Sequence, residues 1–213
     1  MAKYSNGIQG PFSGKIGNVV GASSRGVHYM RAAGKDSKKA PSAAQLQNRK
    51  IFALVMNWLK PILKFINIGF QMEIDGKTPI NRAVGLQLKE AVISDEQGLR
   101  INFARAVLSK GILLISWIRE ILLLADLVLS IKWDNAPDSV YSNGEDDANF
   151  IVYNPVKEKF VVFEQAAKRE DKRAELQLPA DFSGDAVHCW MGYVSRDGKM
   201  VSTSVYVGEI ILS

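Results

Sequence analysis

The sequence has few residues that bind metals or act as nucleophiles. Its 213 residues include one cysteine, Cys189, and two histidines, His28 and His188. One cysteine excludes an internal disulfide framework, and these three residues are too few soft ligands for a structural zinc site. His188 and Cys189 are neighbours, so in a strand their side chains point to opposite faces of the sheet and cannot form a catalytic pair. We therefore expect that the protein is not an enzyme and holds no metal.

A nucleotide-binding motif is also missing, although glycine recurs at short intervals between residues 7 and 26. Ser13, Gly14 and Lys15 resemble the end of a phosphate-binding loop, but Ile16 stands where that loop needs a serine or threonine for magnesium. The acidic residues at 145–147 do not have the spacing of an EF-hand, and we expect a solvated loop tip there. The sequence thus predicts no cofactor.

No segment of the sequence is expected to span a membrane. The start of the chain lacks the apolar run of a secretory signal peptide, which favours the cytoplasm. Residues 112–131 have about the length of a membrane span. They include Arg119, Glu120 and Asp126, and each charge costs about 2.5–3.5 kcal/mol near the centre of a bilayer. Residues 126–133 also alternate as in a half-buried strand.

Acidic residues are almost absent from the first 50 positions. That segment has nine lysines and arginines and one acid, Asp36, giving a net charge of +8, whereas the whole chain has +5. A basic arm of this kind can bind nucleic acid, acidic lipid or an acidic protein, or can simply be a solvated loop.

Residues 1–41 are predicted to form a glycine-rich basic arm that contains a β-hairpin. The expected strands are residues 15–21 and 27–32, on either side of a turn at 23–26, and residues 33–40 resemble a flexible linker. Arg25, Tyr29 and Arg31 place an aromatic ring beside two cations, a combination that is typical of binding surfaces.

Residues 42–110 are predicted to be mainly helical. Ser42 and Gln45 match a capping box, and an apolar face that includes Trp58 and Phe65 then recurs at helical spacing. Pro61 should kink or divide this helix. A second helix over 80–93 should begin after Thr78 as N-cap and Pro79, and residues 100–108 should form a strand. We expect the helix surface around Trp58 and Phe65 to face a partner.

Residues 111–213 are predicted to form an antiparallel β-sandwich of the immunoglobulin or fibronectin type III kind, which makes the fold class α+β. Short strands recur at roughly 10-residue spacing with turn residues between them, including Asp197-Gly198. Trp133, Trp190 and Tyr193 should lie in a core that two sheets share. The strands are expected at residues 126–133, 150–153, 160–163, 174–178, 186–194 and 200–211.

Several segments form a set that resembles a known family. They are residues 6–21, Arg25-Gly26, Met30-Arg31, Gln45 with Arg49, and residues 179–185, 195–199 and 204–208. Together they resemble a family of uncharacterised proteins from Bacteroidota, a domain of unknown function, which implies no catalytic residues. A narrower resemblance is to the plug subunits of the type IX secretion translocon. It implies docking on the periplasmic side of a large outer-membrane channel, which the protein would occlude.

These observations favour a non-catalytic structural or interaction protein with a protein partner. The expected partner-binding residues are Arg25, Tyr29, Arg31, Trp58 and Phe65. The alternative is a cytoplasmic or phage-related accessory protein that binds nucleic acid or protein through its basic N-terminal arm.

Overall fold

The computed structural model of the chain describes residues 3–4, 10–24, 26–34, 39–72, 76–95 and 98–212. It combines α-helices with antiparallel β-sheets, as the predicted mixed class requires. The chain divides into two compact units, Met1–Ser42 and Ala43–Ser213. The boundary predicted near residue 110 falls inside the second unit.

The first unit contains one antiparallel sheet of four strands in chain order. Its strands are β1 (Lys3–Tyr4), β2 (Phe12–Ile16), β3 (Val19–Ser24) and β4 (Val27–Ala32). Ile16 pairs with Val19, so the turn between β2 and β3 has only two residues. It begins with Gly17 at a φ of +57°, a conformation that tight hairpin turns favour. The prediction of one strand over 15–21 is therefore wrong, because this turn divides it.

Three helices begin the second unit. They are α1 (Ala43–Leu59), α2 (Leu63–Gly69) and α3 (Pro79–Glu90), and a 3₁₀ turn, Lys60–Ile62, separates the first two. The division at Pro61 is the predicted one, since proline cannot donate the backbone hydrogen bond of a continuous helix. Thr78 caps α3 by accepting a hydrogen bond from Asn81 N at 3.4 Å, as predicted from Thr78-Pro79.

Helix α3, which was predicted to extend to residue 93, ends at Glu90. A two-stranded sheet of β5 (Val92–Asp95) and β6 (Gly98–Ile101) follows α3, and residues 103–105 form a 3₁₀ turn where a strand was expected. The side chain of Asn102 accepts a hydrogen bond from Ala104 N at 3.1 Å and so caps this turn. The local side-chain cap outweighs the alternating pattern of residues 100–108.

The remaining strands form two antiparallel sheets. One has the order β10-β9-β12-β13 and the other the order β11-β8-β7. Their strands are β7 (Trp117–Leu124), β8 (Val128–Asp134), β9 (Asp147–Asn154), β10 (Lys159–Lys168), β11 (Arg173–Gln177), β12 (Ala186–Val194) and β13 (Val205–Ile211).

The apolar run at 112–131 supplies β7 and most of β8 and forms no α-helix. Asp126 and Leu127, both at a φ near +60°, make the turn between β7 and β8. Within the described residues, one helical stretch, Ala43–Gly69, is long and apolar enough to span a membrane by length and composition. Its buried residues include Val55, Trp58 and Leu59, which pack in the core of the second unit.

The two central strands of the four-stranded sheet, β9 and β12, are buried on both faces. The helices cover one face, and the three-stranded sheet covers the other. Ile151, Tyr153 and Trp190 pack with the helices in one buried cluster. Phe150 and Cys189, one residue out of phase, pack in a second cluster with residues of β8 and β11. This separation follows from the two-residue period of a strand. Of the three aromatic residues predicted for an inter-sheet core, Trp133 and Tyr193 are there, whereas Trp190 faces the helices.

Candidate functional site

Two of the predicted partner-binding residues lie together on the sheet of the first unit. Tyr29 and Arg31 are both exposed and lie two residues apart on β4, so their side chains share one face. Arg31 pairs with Val20, which pairs in turn with Lys15 on β2. Directly paired residues of antiparallel strands point to the same side, so this face has two cations and a tyrosine. The third predicted residue of this segment, Arg25, lies outside the described residues.

The opposite face of this sheet is mainly apolar, with the paired polar residues Ser23 and His28 at one end. Ile16 and Val19 pair with each other, and Met30, which is 71% exposed, pairs with Gly21. The ring of Phe12 covers Gly21, where a Cβ atom would lie 2.6 Å from Phe12 Cδ2. Glycine is needed here for that close approach. This face therefore presents a strip of apolar side chains to solvent.

The sheet of the first unit has no buried core of its own among the described residues. The two buried hydrophobic clusters take all their members from residues 54–212, and every side chain of β4 is exposed. Small sheets need an apolar face packed against another layer to be stable by themselves. The described residues therefore provide no apolar layer that would stabilise this sheet in isolation.

Trp58 and Phe65 lie in the interior, which corrects the expectation that they form an exposed helix surface. Trp58 is 7% exposed and Phe65 is 5% exposed. Trp58 packs edge-to-face on Tyr153, with ring centroids 5.9 Å apart, and lies 5.6 Å from Phe160. The apolar face of the helix covers the sheet of its own chain, and sequence periodicity cannot distinguish that sheet from a separate partner.

Trp58 also lines a cleft of about 560 Å³ between α1, β6 and the β9–β10 hairpin. A volume of this size is within the range of small-molecule sites, about 300–1,000 Å³. Four aromatic residues line the cleft, namely Trp58, Phe103, Tyr153 and Phe160, with Leu54, Pro61, Leu99, Ile101 and Pro155 beside them. The polar lining residues are Asn57, Arg100 and Glu158.

The charges around this cleft are unequally neutralised. Arg100 Nη2 lies 2.6 Å from Asp95 Oδ2, so its charge is offset. Glu158 is exposed, and within the described part of the chain it forms no ion pair. Burial is the main reason why the pKa of the Tyr153 hydroxyl is raised, and the negative charge of Glu158 raises it further. The carboxylate is therefore close enough to Tyr153 to affect it electrostatically. Arg100, Asp95 and Glu158 together have a net charge of −1.

A buried ion pair, which the sequence did not reveal, joins the residue before β9 to the residue after β10. Arg169 is fully buried, and its Nε lies 3.0 Å from Asp146 Oδ2. Its guanidinium lies 3.6 Å from the centre of the Tyr193 ring. Asp146 and Asp147 are both buried, so the expectation of a solvated acidic tip holds only for Glu145. A lone arginine in a polar stretch gives no sequence signal of burial.

His188 and Cys189 lie on opposite sides of β12. His188 Nδ1 is 2.8 Å from Tyr206 Oη, and its ring lies 4.4 Å from that of Phe103. Burial lowers the pKa of His188 and raises the pKa of the Cys189 thiol. A buried, protonated thiol is a poor nucleophile. In the described residues, no three acidic, histidine or cysteine side chains are grouped as metal ligands.

Comparison with known proteins gives a match to a family model. The sequence profile of a Family of unknown function (DUF6266) matches residues 11–208. No curated protein and no solved structure matches the chain significantly.

Proposed function

The chain belongs to the family of unknown function DUF6266, whose description assigns no activity, and on this premise we propose a non-catalytic interaction protein. Its partner is a protein, and the four-stranded sheet of the first unit is the surface that binds it. The second unit, with its two buried clusters, is the stable body that presents this sheet.

The observation that supports this proposal is a sheet exposed on both faces. One face presents Ile16, Val19 and Met30, and the other presents Tyr29 and Arg31. Exposed apolar residues that form a contiguous strip are typical of interaction sites. Tyrosine and arginine are also among the residues that contribute most binding energy at interfaces. A partner would supply an apolar layer, which the described residues of the chain do not provide.

Deletion of residues 1–40 tests the proposal. A tagged chain without this segment should lose the protein partner that the full chain captures from its native cell. Circular dichroism and thermal unfolding should show that Ala43–Ser213 remains folded, because that unit has both buried clusters. Equal recovery of the partner by the full and shortened chains would contradict the proposal.

A second candidate function is nucleic-acid binding through the basic face of the same sheet. Lys15 and Arg31 flank Val20 on that face, with Tyr29 two residues from Arg31. Cations interleaved with an aromatic ring suit a single-stranded nucleic acid. Such binding is steeply salt-dependent because counterions are released from the phosphates. A gel shift with random DNA at low salt that disappears at high salt would favour this candidate, and no shift at low salt would remove it.

A narrower form of the first proposal comes from the resemblance to plug subunits. The partner would then be a large outer-membrane channel of type IX secretion, which the protein would occlude from its periplasmic side. Mass spectrometry of the proteins that co-purify with a C-terminally tagged chain would test this form. Recovery of a large outer-membrane channel supports it, and recovery from the soluble fraction alone opposes it.

For residues 111–213 we propose a sandwich of the immunoglobulin or fibronectin type III kind. The support is the division of its seven strands, of which β7, β8 and β11 form one sheet and β9, β10, β12 and β13 form the other. Trp133 is buried in the cluster to which both sheets contribute. A crystal structure should show the sheets about 10 Å apart and about 30° from parallel. A near-perpendicular crossing would contradict this fold.

A further inference from the structure

The described residues that line the cleft at Trp58 all belong to the second unit. We propose that this cleft binds a small organic cation, an ammonium group with apolar substituents. The inference does not depend on the partner proposed above.

The shape of the cleft supports a ligand with apolar bulk. Aromatic and aliphatic side chains make up nine of its twelve lining residues. The rings of Tyr153 and Phe160 are tilted by 36° with centroids 4.4 Å apart, and the Phe103 ring lies 5.2 Å from that of Tyr153. Binding sites of this kind combine an apolar lining with a few polar groups that fix the orientation of the ligand.

The charges around the cleft favour a ligand with a positive charge. The faces of aromatic rings are electron-rich and attract cations, most strongly where water is excluded. Glu158 adds a full negative charge, while Asp95 offsets Arg100, the only cation among the described residues of the lining. An anion would be repelled by the carboxylate of Glu158 and by the faces of the four aromatic rings. A neutral apolar ligand would gain no electrostatic attraction from Glu158.

The cations that are nearest in sequence do not neutralise Glu158. Lys157 pairs with Asp185, and Lys159 lies 3.2 Å from Asp181. The β9–β10 turn therefore leaves one carboxylate at the mouth of the cleft with no cation assigned to it among the described residues. A bound ammonium group would supply that cation, with its substituents against Tyr153 and Phe160.

Choline and its neutral isostere, 3,3-dimethylbutan-1-ol, test the proposal on the full chain. The two have nearly the same shape and differ in charge. Saturation-transfer NMR and calorimetric titration should show that choline binds about tenfold more tightly than the isostere, because only choline gains from the rings and from Glu158. Equal affinities, or no binding of either probe, would overturn the proposal.

Three variants locate the site. Glu158→Gln and Phe160→Leu should each weaken choline binding about fivefold or more, because they remove the carboxylate and one ring face. Glu90→Gln is the matched control, since Glu90 is an exposed acid at the end of α3 and does not line the cleft. Choline binding that is unchanged by Glu158→Gln, or is weakened equally by Glu90→Gln, would also overturn it. Unchanged thermal unfolding of each variant would show that the protein remains folded.

Discussion

Trp58 and Trp190 pack against each other with ring centroids 6.2 Å apart, but their indole N–H groups differ. Trp190 Nε1 donates a hydrogen bond to the carbonyl oxygen of Ala106 at 3.0 Å. Trp58 Nε1 is buried, and among the described residues it has no hydrogen-bond partner. Two buried tryptophans of one cluster therefore allow the energy of a single hydrogen bond to be measured.

Replacing each of these tryptophans with phenylalanine should give different losses of stability. Both changes remove the same volume, but Trp190→Phe also leaves the Ala106 carbonyl buried without its donor. An unsatisfied buried group costs about 1–3 kcal/mol, and Trp58→Phe removes such a group instead of creating one. Trp190→Phe should therefore be more destabilising by at least that amount. Urea unfolding of both variants would measure the difference. Equal losses would show that the hydrogen bond contributes no net stability.

Removal of one partner of the buried ion pair should be strongly destabilising. Arg169→Ala leaves the Asp146 carboxylate buried and uncompensated, which we expect to cost about 3–5 kcal/mol. Arg119→Ala, at an exposed ion pair with Asp134, is the control and should cost less than about 1 kcal/mol.

The double variant Arg169→Met/Asp146→Leu separates the cost of leaving a charge buried without a partner from the cost of lost packing. It should recover much of the stability that Arg169→Ala loses, because neither charge of this pair remains buried. The free energies of unfolding of the single and double variants, measured in urea, provide the comparison. A double variant that is no more stable than Arg169→Ala would indicate that the pair is required for packing.

The stability of the protein should decrease in mild acid because of His188. Burial lowers its pKa below the ordinary value of 6.5, so below that value the unfolded state binds a proton that the folded state does not. Unfolding is then favoured as the pH falls through the unfolded pKa towards the lower folded pKa. Urea midpoints at about pH 7.5 and about pH 5.5 should differ less in His188→Gln than in the unchanged protein.

The other histidine provides the control for this measurement. His28→Gln alters an exposed residue of β4 and should leave the pH dependence of the urea midpoint unchanged. If His28→Gln and His188→Gln reduced it equally, burial of His188 would not be the cause.

Two glycines of the first unit should respond differently to alanine. At Gly21 a Cβ atom would lie 2.2 Å from the carbonyl oxygen of Phe12, so β2 and β3 would have to separate. At Gly17 a Cβ atom would meet no described residue within 4 Å apart from its chain neighbours, so the positive φ of +57° is what opposes alanine, at about 1–2 kcal/mol. Hydrogen exchange should show loss of amide protection across β2–β4 in Gly21→Ala and a smaller loss in Gly17→Ala. Equal protection in the two would contradict the close packing of Phe12 on Gly21.

A surface substitution should separate the proposed binding sheet from the rest of the molecule. Met30 in the first unit and Val156 in the second are both 71% exposed. Met30→Ser should weaken partner capture, because it removes part of the apolar strip, whereas Val156→Ser should not. Quantitative pull-down with the two variants would compare them. A similar effect of both substitutions would place the interface elsewhere.

Local signals in the sequence predicted the helices and several strands. Pro61 and the pair Thr78-Pro79 predicted the break between α1 and α2 and the start of α3, because each acts through its own backbone geometry. The strand predicted at residues 186–194 has the bounds of β12, because its apolar run is continuous and turn residues flank it.

Tertiary relationships could not be predicted in the same way. The helical spacing of Trp58 and Phe65 shows that they share a face, but not that the sheet of the same chain covers it. The β7 strand was missed because its apolar residues belong to a longer run without alternation, and the turn at Asp126 and Leu127 depends on backbone angles that no glycine or proline signals. The cleft joins residues from 54 to 160 and has no contiguous motif.

The burial of β9 and β12 on both faces affects how the chain can be produced in parts. A fragment that starts at residue 111 would keep every strand of both large sheets, but it would expose Ile151, Tyr153 and Trp190 to water. The helical segment alone would likewise lose the surface on which it folds. Expression trials that separate the chain near residue 110 should therefore give aggregates, and the shortest well-behaved fragment should begin near Ala43.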